Sequence, residues 1–258
     1  MTDTLFDISG KVALLTGGTS GIGRMTAAGL VQRGVKVYLT GRDGAQAAAI
    51  AAELSAEGGE CIGLAADLGE PEGPRKLATL FGEQESRLDI LINNAGANGE
   101  GSLARMAVED WDLVLNVNLR GAFFLTRELL PLLRAAASEE DPARIINIGS
   151  IGGLHIPNWE AHAYGASKAA IHHLTRSLAK ALGTDRITAN AIAPGPFHSR
   201  LTDTDSEQVQ KSVATYIPLG RPGSADDVVG AVTFLASRAG AYVNGTTIPL
   251  DGGYIAAL

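Results

Sequence analysis

Residues 11–23, KVALLTGGTSGIG, carry an apolar run straight into a glycine-rich turn and on into a helical pattern. A short run without polar alternation fits a strand covered on both faces, as in a parallel sheet. Gly17, Gly21 and Gly23 let the backbone turn sharply and approach a ligand closely, and a helix N-terminus behind them favours a phosphate anion. The spacing is G-x-x-x-G-x-G and departs from the common dinucleotide fingerprint, so a purely structural turn also accounts for it. Its place after the first strand favours a dinucleotide pyrophosphate.

The alternation continues outward from this turn. Strand-like runs occupy 11–16, 35–40, 61–66, 88–93, 143–148, 187–192 and 246–249; helical patterns occupy 21–33, 44–57, 71–85, 108–137, 163–182 and 225–238. Seven strands alternating with six helices predict right-handed βαβ units, and hence an α/β fold built on a doubly wound seven-stranded parallel sheet with helices on both faces. No linker, charge block or composition shift divides the chain, so 1–258 is expected to be a single domain. Residues 197–222 are the least regular long stretch, and an excursion of that size predicts a substrate lid.

Composition narrows the function classes. Of 258 residues, 45% are hydrophobic and 19% charged, which supplies a large core and excludes a disordered chain. The net charge of −7 argues against a nucleic-acid partner, which needs a basic face. Cys61 is the single cysteine, so neither an intrachain disulfide nor a cysteine-cluster metal site can form. The beginning, MTDTLFDISGK, lacks the pattern of a secretory signal, and no apolar run is long enough for a membrane span. The expected setting is reducing and cytoplasmic. His155, His162 and His198 lack paired ligand spacing, so no metal is expected. His172 and His173 are adjacent on a helix, face different ways, and read as packing or surface residues.

At the end of the second strand stands Thr40-Gly41-Arg42-Asp43. A carboxylate there would bind the ribose hydroxyl of NAD and repel the extra phosphate of NADP; a guanidinium binds that phosphate. Gly41 occupies the carboxylate's place and Arg42 follows, which points to NADP(H), with NAD(H) possible. Alternatively, Arg42 is a solvated turn residue and Asp43 the cap of the next helix. Tyr164 and Lys168 are four apart and share one helix face. A phenol titrates near about 10, and bringing it to about 7 takes roughly 4 kcal/mol, much of which a nearby ammonium can supply. Ser150 and Asn93–Gly96 fall at the carboxyl edge of the predicted sheet, where ligands of open α/β folds bind, and Asn118 lies on the helix after the fourth strand.

The chain resembles the short-chain dehydrogenase/reductase family through TGGTSGIG (16–23), NNAG (93–96), Asn118, Ser150, Tyr164 and Lys168, with Tyr164 following Ser150 by 14 residues. The likeness runs almost end to end. ARIINIGSIGG, IAPGPFHSRLT and AGAYVNGTTIPLDGGY look most like β-ketoacyl reductases, particularly the rhamnolipid-pathway type. The resemblance implies a Rossmann-type fold, with Tyr164 as general acid/base and Ser150 hydrogen-bonding the substrate carbonyl. It has Lys168 bind the nicotinamide ribose and lower the tyrosine pKa, and Asn118 hold a proton-relay water. It also implies cofactor contacts at Gly17, Thr19, Ser20, Gly21, Ile22, Gly23, Arg42, Asp67, Leu68, Asn94, Ala95, Gly96, Tyr164, Lys168, Pro194, Gly195, Phe197 and Ser199. The family's PG-x-x-x-T element is represented by Pro194–Ser199, where the Ser199 hydroxyl replaces a threonine; Ser20 stands where NADP-using members often have a basic residue. A homotetramer is implied as well.

Substrate walls are expected from 97–106, 151–162 and 197–216. Ile151, Leu154, Ile156, Trp159, Phe197 and Tyr216, beside Ser150 and Tyr164, suggest an apolar pocket. The expected reaction is NADPH-dependent reduction of a small-molecule ketone, such as a 3-oxoacyl thioester. The rival readings are an NAD-dependent secondary alcohol or sugar-acid dehydrogenase and a non-catalytic NADP(H)-binding sensor. A sensor would have no need of a phenol acid, so the Tyr164/Lys168 pair speaks against it.

Overall fold

A computed structural model describes residues 4–99, 101–156, 160–198 and 206–257. Seven strands, β1 (Val12–Leu15), β2 (Lys36–Gly41), β3 (Cys61–Ala65), β4 (Ile90–Asn93), β5 (Ala143–Ile148), β6 (Ile187–Pro194) and β7 (Thr247–Leu250), form one sheet. Its order is β3-β2-β1-β4-β5-β6-β7, and every pairing is parallel. The runs VALL, ILIN and ARIINI lack alternation because helices cover both faces.

Helices α1 (Gly21–Val31), α2 (Gly44–Ala56), α3 (Gly73–Gly82), α4 (Val108–Leu115), α5 (Ala122–Ala136), α6 (His162–Leu182), α7 (Glu207–Tyr216) and α8 (Ala225–Ala236) complete the order. On one face Leu30, Leu54 and Val232 pack from α1, α2 and α8; on the other Phe81, Leu129 and Leu182 pack from α3, α5 and α6. Strand order reverses at β1, which lies between β2 and β4. The crevice at the carboxyl ends of β1 and β4 is therefore the topological switch point.

Two expectations are corrected. The helix predicted over 108–137 is interrupted by a π-helical turn at Asn116–Gly121. The turn brings Gly121 so close to the loop after β3 that a Cβ would lie 2.7 Å from the Leu68 carbonyl oxygen. Widened turns of this kind often lie at functional sites. The excursion 197–222 was expected to be irregular, yet it contains α7, whose Ser206 caps the helix by accepting the Val209 N–H at 3.4 Å. Val213 and Ile217 are its buried anchors, too sparse to produce a clear apolar period. The base of the excursion is pinned by a bridge between Phe197 and Gly223 and by the Gly223 N–H bond to Pro196 O at 2.9 Å. Among the described residues, no helix is long and apolar enough to cross a membrane.

Candidate active site

The turn after β1 is built against the loop after β4. Thr16 Oγ1 accepts the N–H groups of Asn94 and Ala95, each at 3.0 Å. The Asn94 amide donates to Thr16 O and Gly17 O, both at 2.9 Å. Gly17 has φ +68°, and a Cβ there would lie 2.9 Å from Ala95 Cα; a Cβ on Gly23 would lie 2.2 Å from Gly17 O. Ser20 precedes α1 without a side-chain capping bond, and no acid stands in the helix's first turn. A helix N-terminus without a side-chain cap or an acid in its first turn, behind closely packed glycines, fits a pyrophosphate.

Arg42 is exposed at the tip of β2, and among the described residues it makes no ion pair. Asp43 faces away from that role, because its Oδ1 accepts from Ala45 N at 2.9 Å and Gln46 N at 3.1 Å and so caps α2. At Gly41 a Cβ would lie 2.6 Å from Thr19 Cγ2. The methyl of Thr19 thus occupies the space an acidic side chain would need. Asp67 is exposed and accepts the Gly69 N–H at 2.9 Å, while Leu68 is buried beneath it and Ile22 packs against the core. Gly195, following Pro194 at the end of β6, donates its N–H to Leu250 O at 2.9 Å. Ser199 lies outside the described residues. The carboxyl edge thus brings together a glycine cradle, a free guanidinium and the loops after β3, β4 and β6, which together fit a phosphorylated dinucleotide.

The remaining groups converge on the same edge. Ser150 follows β5, and its Oγ accepts the Gly152 N–H at 3.0 Å. Tyr164 lies in the first turn of α6 and shares a hydrogen bond with Ser150. Lys168, one turn on and 5% exposed, donates from Nζ to Ile148 O at 2.8 Å; the nitrogen sits 5.6 Å from the centre of the Tyr164 ring. Asn118 Oδ1 accepts from Ala97 N at 2.7 Å, and its Nδ2 donates to Ala97 O and Ser167 Oγ, both at 3.0 Å. Ser167 in turn donates to Tyr164 O at 2.7 Å. The residue expected to hold a relay water therefore has its amide engaged by protein groups at both heteroatoms, tying the loop after β4 to α6.

Among the protein's own groups the Tyr164 phenol is held above its ordinary value: burial penalises the phenolate, and the Ser150 hydrogen bond offsets only part of that. Lys168 is itself so desolvated that its ammonium is lowered to about 8. The ammonium addresses the Ile148 carbonyl and lies beside the Tyr164 ring.

Around the mouth, Leu154 and Tyr216 are partly exposed and Ile156 is 91% exposed, with Ile151 half-buried behind them. Phe197 does not line this mouth. It is 3% exposed, and its ring covers Gly223 so closely that a Cβ there would lie 2.2 Å from the ring. Trp159 lies outside the described residues. Tyr254, the last residue of AGAYVNGTTIPLDGGY and not expected at the pocket, stands 5.1 Å from the His155 ring and 6.1 Å from the Tyr216 ring, centre to centre. His172, read in the sequence as a packing or surface residue, is buried. It stands one further turn along the Tyr164/Lys168 face. Among the described residues, no group of three His, Cys, Asp or Glu side chains could hold a metal ion.

Comparison with known proteins points the same way. A family model described as enoyl-(acyl carrier protein) reductase matches residues 17–255. The rhamnolipids biosynthesis 3-oxoacyl-[acyl-carrier-protein] reductase of Pseudomonas aeruginosa is 44% identical over 251 residues, 96% of this chain and 98% of the relative. A 3-oxoacyl-[acyl-carrier-protein] reductase of Synechocystis is 36% identical over 250 residues, 96% of this chain and 98% of the relative. Among solved structures, the Pseudomonas aeruginosa RhlG/NADP active-site complex superposes with a TM-score of 0.93 at 43% identity, covering 98% of this chain and 99% of that one.

Proposed function

This chain belongs to the short-chain dehydrogenase/reductase family, and from that membership we propose that it is an NADPH-dependent carbonyl reductase acting on a 3-oxoacyl thioester or a similarly apolar ketone. The observation that carries the reading is the Ser150–Tyr164–Lys168 cluster, with Ser150 and Tyr164 half-buried and Lys168 buried, beside a glycine cradle at one sheet edge. When bound, the cofactor supplies the hydride; position and electrostatics come from the protein. Ser150 Oγ and the Tyr164 phenol hold the carbonyl oxygen as charge builds on it, and Tyr164 gives that oxygen its proton. A raised phenol pKa keeps this proton in place until the oxygen becomes basic. Lys168 stabilises the phenolate left behind, and with its own pKa near about 8 it can return a proton at neutral pH. Asn118 holds the loop after β4 against α6, so the groups of both elements stay in register.

Arg42 selects NADPH, a role supported by its freedom from ion pairs among the described residues and by the capping role of Asp43. The single domain carries its substrate lid at 197–222, of which 199–205 lie outside the described residues; α7 and the Phe197–Gly223 bridge are the ordered parts of that stretch. The assembly is a homotetramer in the cytoplasm. The exposed Val108, Leu113 and Phe123 on α4 and α5 support an interface there.

Initial rates with NADPH and NADH against simple ketones, a 3-oxoacyl thioester and the corresponding enoyl thioester test the reading. NADPH with the 3-oxo substrate is expected to be fastest. Tyr164→Phe should lower turnover at least about a hundredfold with NADPH affinity nearly unchanged. Turnover of the enoyl thioester alone, or near-wild-type turnover by folded Tyr164→Phe, would overturn it.

A further inference from the structure

Tyr164, Lys168 and His172 stand four residues apart along α6, so one helix face carries all three. The chemistry above uses the first two only. The His172 ring is buried beneath the corner where β5 leaves the sheet, and its Nε2 accepts the Ser150 N–H in a long hydrogen bond of 3.4 Å. Ring and corner fit so closely that a Cβ on Gly149 would lie 2.0 Å from Nε2. Two bonds already tie the corner: Gly149 N donates to Ile192 O at 2.7 Å, and the Ser150 side-chain Oγ accepts Gly152 N at 3.0 Å. Nε2 adds a tie from the helix that carries Tyr164.

Accepting that bond requires a neutral ring with its proton on Nδ1. Burial, then the charge of Lys168, lower the imidazole to about 4; Arg176 adds to this and the Gly153 backbone opposes it. The ring also hydrogen-bonds the Gly153 backbone, so it bridges α6 to the corner at more than one point.

We propose that His172 is a positioning residue for Ser150: its Nε2 holds the Ser150 main chain so that the serine hydroxyl faces Tyr164. The proposal rests on the reading of Ser150 as the group that binds the carbonyl oxygen. Its test is a set of full-length variants, His172→Leu, His172→Gln, Ser150→Ala and the Ser150→Ala/His172→Leu double variant. Each is assayed for kcat, KM and NADPH affinity, and side-chain ¹⁵N NMR of the wild-type histidines is recorded alongside.

His172→Leu should lower kcat by about ten- to a hundredfold, the scale of an ångström of misplacement, with KM and NADPH affinity within a few-fold. His172→Gln, which keeps an acceptor, should recover most of that loss. In the Ser150→Ala background the leucine change should cost little more, because the group it positions is gone. At neutral pH the NMR should report the proton on Nδ1. Equal losses in both backgrounds, or a proton on Nε2, would overturn the positioning role and leave the proposed reductase intact. Wild-type turnover by Ser150→Ala would overturn both. If His172→Leu fails to fold, the glutamine variant and the NMR result decide.

Discussion

Replacing Lys168 by methionine should change how stability depends on pH, by an amount the structure lets us work out. The lysine is 5% exposed, and burial lowers its ammonium from 10.5 to about 8. Below about 8, folded and unfolded chains both carry the proton, and the side chain adds no pH dependence. From about 8 up to the ordinary value, the unfolded chain still binds the proton while the folded chain releases it, so stability rises with pH. Between pH 7 and about pH 9.5 this linkage amounts to about 2 kcal/mol. Lys168→Met keeps most of the apolar stem and removes the titration. Urea unfolding of both proteins at matched concentration should therefore show the wild type gaining about 2 kcal/mol relative to the variant across that window. Turnover of the variant should be lost in the same samples. Parallel stability curves for the two proteins would refute the claim that this ammonium is desolvated.

Three further outcomes follow from particular contacts. Arg42→Ala should raise KM for NADPH much more than for NADH in steady-state assays; equal effects would remove Arg42 as the selector. Gly41→Asp alone should impair both cofactors, because its Cβ would lie 2.6 Å from Thr19 Cγ2, whereas Thr19→Ser/Gly41→Asp should bind NADH in preference to NADPH by fluorescence titration. Arg144 is fully buried at the opposite edge of the sheet, where it pairs with Asp141 at 2.9 Å and donates to Leu235 O at 3.0 Å and Ser237 O at 2.9 Å. Arg144→Met strands those acceptors and should cost about 3 kcal/mol in urea unfolding.

The parallel sheet was legible because its strands are buried on both faces, and unbroken apolar runs such as ILIN and RIINI follow from that. The glycine turn was legible because a backbone that must approach both a ligand and its own neighbours excludes side chains, as at Gly17 and Gly23. α7 was missed because few of its residues are anchored, and the π-helical turn was missed because it arises from the approach of Gly121 to Leu68 O. Asp43 caps α2, as one of the two readings of that turn had it, and Arg42 is exposed beside it.

Local pattern thus determined the alternation of elements, the sheet edge on which they converge, and the Tyr164/Lys168 pair, since helical spacing and apolar periodicity are properties of neighbours along the chain. The direction of the Tyr164 pKa, the engaged amide of Asn118 and the contact of His172 with Ser150 were decided only by the tertiary fold. Desolvation and hydrogen-bond partners depend on groups tens of residues away, and only packing brings those within reach.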